Sequence, residues 1–200
     1  MEDTLVLLVG ASGSGKTSVA KELEKIGYNV IQSYTTRKPR YEGEWGHTFI
    51  GKYIPDVIKD CRGHISLIRW NEYLLPKTVF GDNIIAFFND YKNNEIYFAT
   101  KEQYKNKGTS IYIVDPEGAN QVRENVKDAK IITIFLAVDE NMRYNRLIED
   151  NRGLITGVSD RIEKDRRIFS KCKCDYVVDG NQSLEGVVNM VRSIIEQEVL

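Results

Sequence analysis

The amino-acid sequence predicts an α/β sandwich with a central parallel sheet. Three apolar runs rich in β-branched residues have the length of strands and no helical period. They are TLVLLV (4–9), SIYIVD (110–115) and KIITIFLAV (130–138). Such continuously apolar strands are typical of a parallel sheet, because helices cover both of its faces. Helical patterns lie between the runs, so the chain reads as βαβ units with right-handed crossovers.

Two shorter runs complete a five-strand sheet, YNVIQS (28–33) and DYVVDG (175–180). A helix is predicted over 16–27, with Val19, Leu23 and Ile26 on one face and a closing glycine suited to a C-cap. Three further helices are predicted in ENMRYNRLIEDN, in VSDRIEKDRRIFSKC with Ser159 as its candidate N-cap, and in SLEGVVNMVRSIIEQEVL.

Length and charge limit the classes of protein. At 200 residues the chain suits one domain. Its 28 basic and 29 acidic residues nearly cancel in charge. Binding of nucleic acid or of an anionic membrane would therefore require a local cluster of basic residues. No apolar stretch approaches the ~20 residues of a membrane span, and the run 5–9 is too short for a signal peptide. We expect a cytoplasmic protein.

The three cysteines, Cys61, Cys172 and Cys174, are an odd number, which argues against a disulfide framework. The C-x-C pair could be half of a metal site, but no second Cys/His pair accompanies it, and His47 and His64 lie far apart in sequence. Free thiols in a reducing compartment are the favoured interpretation.

A phosphate-binding loop (P-loop) follows the first predicted strand. The pattern G-x-x-x-x-G-K-[ST] is filled by Gly10, Ala11, Ser12, Gly13, Ser14, Gly15, Lys16 and Thr17. Backbone amides and the helix N-terminus would hold a phosphate, the lysine would place a cation on it, and the threonine hydroxyl could bind Mg²⁺. The alternative is a chance glycine-rich turn, but strand, lysine, threonine and helix are all in register. The fold class is thereby narrowed to a P-loop NTPase three-layer sandwich.

A P-loop protein also needs an acidic residue near the metal, at the end of another buried strand. Asp115, which ends SIYIVD, is the candidate. It could equally cap the helix that begins at Pro116, and the two roles do not exclude each other.

A second anion site is predicted in SYTTRKPRYEGE (33–44). Arg37, Lys38 and Arg40 place three cations in four positions. We expect this loop to leave a strand that neighbours the P-loop strand, so that a second phosphate-bearing substrate could face the first. A solvated basic loop is the alternative. Planar guanidinium groups suit bidentate binding of a second phosphate.

This segment resembles the S-x-[ST]-T-R-x-P-R-x-G-E motif of the guanylate kinase family. One extra residue precedes Gly43, and the matching residues are Ser33, Thr35, Thr36, Arg37, Pro39, Arg40, Gly43 and Glu44. The segments YFATKEQY (97–104), VDPEGANQV (114–122), the arginine-bearing stretch 145–162 and CDYVVDGNQSL (174–184) also resemble that family. The resemblance therefore runs nearly from end to end.

The resemblance implies an ATP-dependent kinase that phosphorylates GMP or dGMP with Mg²⁺. It implies small-molecule nucleotides as partners, without nucleic acid or membrane, in a monomer or homodimer. By matched positions, the residues implied to bind the acceptor nucleotide are Ser33, Arg37, Arg40, Tyr97, Thr100 (or Ala99) and Asp115. Thr17 and Asp115 would bind the metal, and Arg152 would bind the ATP phosphates. The residues implied in catalysis are Lys16, Arg37, Arg146 and Arg161. Each arginine of 145–162 could instead be a solvated residue of a charged helix.

The resemblance also divides the chain. The core would be 1–33, 101–141 and 166–200, with an inserted nucleotide-monophosphate-binding subdomain at 34–100 and a helical lid at 142–165. Three of the four prolines lie in 34–100, which interrupts the alternation of strands and helices.

Base recognition departs from the family pattern. Phe88 stands where the family carries a glutamate that reads guanine, unless a longer loop brings Asn89 or Asp90 there. Ala99 replaces a base-contacting serine, and His47 falls near an expected tyrosine. The stretch 51–85, which includes Trp70, is enlarged. Another nucleotide or a phosphorylated sugar as acceptor, and a non-catalytic binding module, therefore remain as alternatives.

Overall fold

A computed structural model describes residues 2–50, 83–90, 92–93, 95–149, 155–170 and 172–199. Its main sheet has five strands in the order β2-β7-β1-β8-β9, and every neighbouring pair is parallel. The strands are β1 (Thr4–Val9), β2 (Asn29–Ile31), β7 (Thr109–Ile113), β8 (Lys130–Ala137) and β9 (Tyr176–Asp179). The predicted parallel sheet is confirmed.

Strand β1 is buried on both faces, as its unbroken apolar pattern predicts. Val6 and Leu8 join one core cluster, while Leu5, Leu7 and Val9 join another. Full burial of a leucine or valine side chain contributes about 1.5–3 kcal/mol, so β1 is a main source of stability for the sheet.

Helices complete a three-layer sandwich. On one face lie α1 (Lys16–Lys25) and α5 (Leu184–Val199), and on the other α2 (Pro116–Asn125). The predicted glycine end of α1 is present: Gly27 has φ 102°, its amide donates to Glu24 O, and the amide of Tyr28 donates to Leu23 O. These are the two hydrogen bonds of a Schellman motif.

A second sheet has the strand order β4-β3-β6-β5. Its strands are β3 (Ser33–Thr35), β4 (His47–Phe49), β5 (Ile84–Asp90) and β6 (Glu95–Thr100). The strand predicted over 28–33 is present as β2, but it ends at Ile31, because the chain leaves the main sheet there and enters the second at Ser33. The carbonyl of Gln32, between β2 and β3, accepts from the Gln103 side chain at 2.6 Å. β7 lies between β2 and β1, so the expectation that this strand neighbours the P-loop strand was wrong.

Two further helices, α3 (Glu140–Glu149) and α4 (Ile155–Phe169), pack against each other through Leu147, Val158 and Ile162. Ser159 was predicted as the N-cap of α4, but it lies inside that helix. Helix propensity is low at Thr156 and Gly157, yet burial of Val158 extends the helix in the N-terminal direction. The division into core, inserted subdomain and lid stays a prediction.

Among the described residues, no helix combines the length and the apolar content needed to cross a bilayer. Cys172 and Cys174 are free thiols, as predicted. Four residues named from the sequence, Cys61, His64, Trp70 and Arg152, lie outside the described ranges.

Candidate active site

The P-loop joins the carboxyl end of β1 to the N-terminus of α1. Gly13 (φ 78°) and Gly15 (φ 87°) adopt left-handed conformations that favour glycine. A Cβ on Gly10 would lie 2.6 Å from Ser14 Oγ and 3.0 Å from Leu136 O. Since Gly15 occupies the N-cap of α1, no capping side chain competes with a phosphate for the first-turn amides.

Lys16 spans the loop that it follows. Its ammonium donates to Gly10 O at 2.6 Å, to Ala11 O at 3.0 Å and to Ser14 Oγ at 3.3 Å. The cation is thus fixed above the loop by carbonyl oxygens. Thr17, the next residue, is exposed at the start of α1.

Glu44 holds the basic loop. Its side chain accepts a bidentate pair of hydrogen bonds from buried Arg37, at 2.8 and 3.0 Å, and another from the Arg40 amide at 2.6 Å. The Arg40 guanidinium lies 3.4 Å away and is 64% exposed. The hydrogen bonds from Arg37 hold the pKa of Glu44 at about 2, so the carboxylate stays charged. The sequence motif contained Glu44 without revealing this role.

Ser33 and His47 face each other across β3 and β4. Ser33 Oγ and His47 Nδ1 are 2.9 Å apart. Burial, together with the nearby charge of Arg37, lowers the pKa of His47, so the ring is neutral at neutral pH. Tyr97 packs beside His47 with ring centroids 5.5 Å apart, and burial raises the pKa of its phenol, which therefore remains a hydrogen-bond donor.

Phe88 lies opposite Tyr97 in the β5–β6 pairing, and it is 50% exposed. Ala99 and Thr100 are buried, and Thr100 caps a short 3₁₀ helix at 101–103. Their predicted place near a base stays a prediction. Asp115 caps α2, because its Oδ1 accepts from the Gly118 amide at 2.7 Å. This confirms the capping role, and metal binding by Asp115 stays a prediction.

Helices α3 and α4 both contact the P-loop. Arg146 of α3 donates to Gly13 O at 3.3 Å and to Gly180 O at 3.4 Å, and Arg161 of α4 donates to Ser12 Oγ at 2.8 Å. Of the three arginines predicted in this region, two therefore lie at the loop, and Arg152 is outside the described residues.

Three clefts meet at this point. A loop cleft of about 460 Å³ is lined by the P-loop, Arg146 and Gly180. An aromatic cleft of about 510 Å³ is lined by Phe88, Tyr97 and Asp115, and an arginine cleft of about 570 Å³ by Arg40, Glu44 and Trp45. Lys16 lines the loop and aromatic clefts, Ser33 and His47 line the aromatic and arginine clefts, and Arg161 lines all three.

Two buried charged residues at the P-loop were missed by sequence reasoning. Arg143 precedes Arg146 by three positions, and Asp165 follows Arg161 by four, so each lies near a predicted arginine on the same helix face. That spacing was their only signal, because charges on such polar helices look alike in sequence.

No protein-family model matches the chain. The guanylate kinase of Clostridium tetani is 29% identical over 201 residues, which cover 97% of this chain and 86% of that protein. The alignment with the guanylate kinase of Rickettsia prowazekii is shorter: 27% identity over 139 residues covers 66% of this chain and 59% of that protein. A crystal structure of guanylate kinase from Anaplasma phagocytophilum matches with a TM-score of 0.65 and 16% identity, over 100% of this chain and 87% of that one, and so has the same fold. Together with the full-length alignments, this shared fold shows that the chain belongs, as a distant member, to the guanylate kinase family.

Proposed function

We propose that the protein is a nucleoside monophosphate kinase that transfers the γ-phosphate of ATP to GMP or dGMP. The observation that carries this proposal is the meeting of the three clefts at Arg161. A phosphate donor in the loop cleft and an acceptor across the other two would both present phosphates to the same guanidinium. Such placement is most of what phosphoryl transfer asks of a protein.

On the donor side, the P-loop amides and Lys16 would hold the ATP phosphates. Arg146, anchored on the carbonyls of Gly13 and Gly180, would add a second cation along the loop cleft. The Thr17 hydroxyl and the Asp115 carboxylate are hard oxygen ligands of the kind that Mg²⁺ prefers, so the donor set fits Mg²⁺. When bound with ATP, Mg²⁺ would neutralise charge that develops on the phosphates.

On the acceptor side, the arginine cleft would hold the monophosphate. Arg40 presents an exposed guanidinium, while Arg37 is buried behind it in the bidentate pair with Glu44. The hydroxyls of Ser33 and Tyr97 supply neutral donors nearby. Two arginines close together, with a shared carboxylate, can bind a dianion without leaving a buried charge unpaired when the site is empty.

The reaction needs no nucleophile from the protein. An oxygen of the acceptor phosphate attacks the γ-phosphorus, the bond to the β,γ-bridging oxygen breaks, and ADP leaves with the electron pair. Because the second pKa of a phosphate monoester is near 6, the acceptor is already a dianion at neutral pH and needs no general base. Arg161 would stabilise charge on the transferring group.

Phe88 favours a flat ring on the acceptor. A half-exposed aromatic side chain in the aromatic cleft offers a stacking surface to a nucleobase, whereas a phosphorylated sugar would gain little from it. Because a phenyl ring supplies no hydrogen bond to the base edge, we expect weaker discrimination among bases than a carboxylate at this position would give.

The decisive experiment is a coupled assay of ADP release with ATP, Mg²⁺ and one acceptor at a time. We expect turnover with GMP and dGMP above that with AMP, CMP, UMP and ribose 5-phosphate, and its loss in Lys16→Met. Equal turnover of GMP and AMP would remove the guanine assignment. ATP binding without turnover of any acceptor would exclude the kinase and favour a binding module, although the presence of Lys16, Arg146 and Arg161 at the clefts supports the enzyme.

A further inference from the structure

A buried ion pair joins the two helices that contact the P-loop. Arg143 of α3 is 6% exposed and Asp165 of α4 is 8% exposed. Arg143 Nη1 lies 3.3 Å from Asp165 Oδ2. Burial of two charges costs more desolvation free energy than the pair alone usually returns, so the other contacts of the pair decide its role.

Arg143 Nη2 lies 4.0 Å from Glu140 Oε2, and each member of the pair also contacts the Ser12 backbone. The Ser12 amide donates to Asp165 Oδ2 at 2.7 Å, and Arg143 Nη1 donates to Ser12 O at 3.4 Å. One residue of the P-loop is therefore held at both its N–H and its C=O by the same ion pair. The bond to the carboxylate is short and charge-assisted, the stronger class of hydrogen bond.

Arg161 shares this anchor. It lies one helical turn before Asp165 on α4, so the two side chains leave the same face. Arg161 Nε donates to Ser12 Oγ at 2.8 Å. The hydrogen bond from the Ser12 amide to the Asp165 carboxylate thus fixes the helix turn from which Arg161 reaches the junction of the clefts.

The other helix is equally close to the loop. A Cβ built on Gly13 would lie 2.8 Å from Arg143 O, so the α3 backbone packs directly on the P-loop. The backbone of Arg143 thus packs against the P-loop while its side chain pairs with Asp165.

We infer that Arg143 and Asp165 are positioning residues for phosphoryl transfer: they fasten α4 to Ser12 and thereby hold Arg161 at the junction of the three clefts. This inference rests on the proposed kinase function. Two apolar residues of similar size could pack the helices together, but they could not hold the Ser12 amide. A misplacement of about 1 Å at a reacting site can cost a hundredfold in rate, so this tie controls kcat more than substrate binding.

The first test replaces both members of the pair. Arg143→Met with Asp165→Leu leaves no buried charge unpaired, so we expect an unchanged or higher Tm. We expect kcat to fall at least tenfold while KM for ATP changes less than threefold. The exposed α4 pair Glu163 and Arg167 provides the control, since Glu163→Ala with Arg167→Ala should leave kcat unchanged.

A double-mutant cycle separates positioning from a general structural role. In an Arg161→Ala background, removal of the buried pair should lower kcat less than twofold further, because its effect passes through Arg161. If removal of the buried pair lowers kcat by the same factor in the Arg161→Ala background as in the wild type, the inference is overturned.

Exchange of the Ser12 amide hydrogen, followed by NMR in the ligand-free protein, tests the tie without turnover. In Arg143→Met with Asp165→Leu, we expect this hydrogen to exchange at least tenfold faster than in the wild type, although the Tm is unchanged. An unchanged exchange rate would overturn the inference. If the wild-type protein phosphorylates no monophosphate, the proposed function fails while this measurement still decides whether the pair holds Ser12.

Discussion

At the scale of single residues, the proposed acceptor site contains two arginines that share one carboxylate. Arg37 is buried and bound to Glu44 by two hydrogen bonds, whereas the guanidinium of Arg40 is mostly exposed and 3.4 Å from the same carboxylate. An exposed ion pair is worth only about 0–1 kcal/mol, so Arg40 can turn toward a ligand at little cost. Arg37 would contribute its charge while remaining in place.

Arg40→Ala should raise the KM of the acceptor about tenfold to a hundredfold, since a hydrogen bond to a charged group contributes ~1.5–3 kcal/mol. Steady-state kinetics with varied GMP measures it. Lys38→Ala is the matched control: Lys38 is an exposed cation in the same loop, and its loss should change KM less than twofold. An unchanged KM in Arg40→Ala would mean that the basic loop is a solvated surface.

Acid should weaken the fold through Glu44. Its pKa is about 2 in the folded protein, below the ordinary value of 4.5, so the unfolded state binds more protons in this interval. Stability from Glu44 is complete above about pH 4.5 and is lost as the pH falls toward 2. Between pH 7 and pH 3 the loss is about 2 kcal/mol.

Urea unfolding at pH 7 and pH 3 checks this loss. From pH 7 to pH 3, the free energy of unfolding should fall by about 2 kcal/mol less in Glu44→Gln than in the wild type. The variant should already be less stable at pH 7, because buried Arg37 loses its charged partner. Glu42→Gln, an exposed neighbour in the loop, should behave as the wild type. The same decrease in Glu44→Gln as in the wild type would contradict the assigned pKa.

At the scale of secondary structure elements, the P-loop packs so closely on α3 that there is no room for a side chain at Gly13. Gly13→Ala should lower the free energy of unfolding by about 1–2 kcal/mol through its left-handed φ of 78° alone. The added methyl group would also meet Arg143 O and displace the loop from α3. We therefore expect the Kd for ATP, measured by calorimetry, to rise at least tenfold.

Gly108→Ala separates the two effects. Gly108 has a similar φ of 69°, but a Cβ there would meet no heavy atom within 4 Å. The Gly108→Ala variant should lose about as much stability as Gly13→Ala but should keep the wild-type affinity for ATP. Equal affinity in Gly13→Ala and Gly108→Ala would show that close packing of the loop on α3 is dispensable.

Local signals in the sequence predicted most elements. The apolar run of β1, the Schellman glycine after α1 and the Asp115 cap of α2 depend on neighbours within a few positions. The break between β2 and β3 arises because β2 pairs with β7 and β3 pairs with β6. No pattern within 28–33 encodes this choice of distant partners. Burial of Val158 against α3 likewise set the start of α4.

The same distinction separates the site residues. The P-loop is contiguous, so its sequence predicted its geometry. Arg143 and Asp165 lie 22 positions apart in charged helices and meet only through the fold of α3 on α4. Their burial, which marks them among many charged residues, is a property of tertiary packing.

At the scale of the whole molecule, the sheet order places the P-loop strand at the centre. β1 lies between β7 and β8, and all five strands run in one direction, so the P-loop and Asp115 emerge at the same edge. Ligands of open α/β sheets bind in the crevice at this carboxyl edge. The second sheet carries Ser33, Phe88 and Tyr97 to the other wall of that crevice.

This strand order also governs when the site can form during synthesis. Thr4 pairs with Thr109 in one neighbouring strand and with Lys130 in the other, so β1 waits for partners made roughly 100 residues later. At 5–20 residues per second the ribosome takes about 5–20 seconds to supply them. Throughout that delay an apolar strand remains unpaired and exposed to aggregation. The P-loop, although translated about 100 residues before β7, is thus completed only after both partner strands have been made.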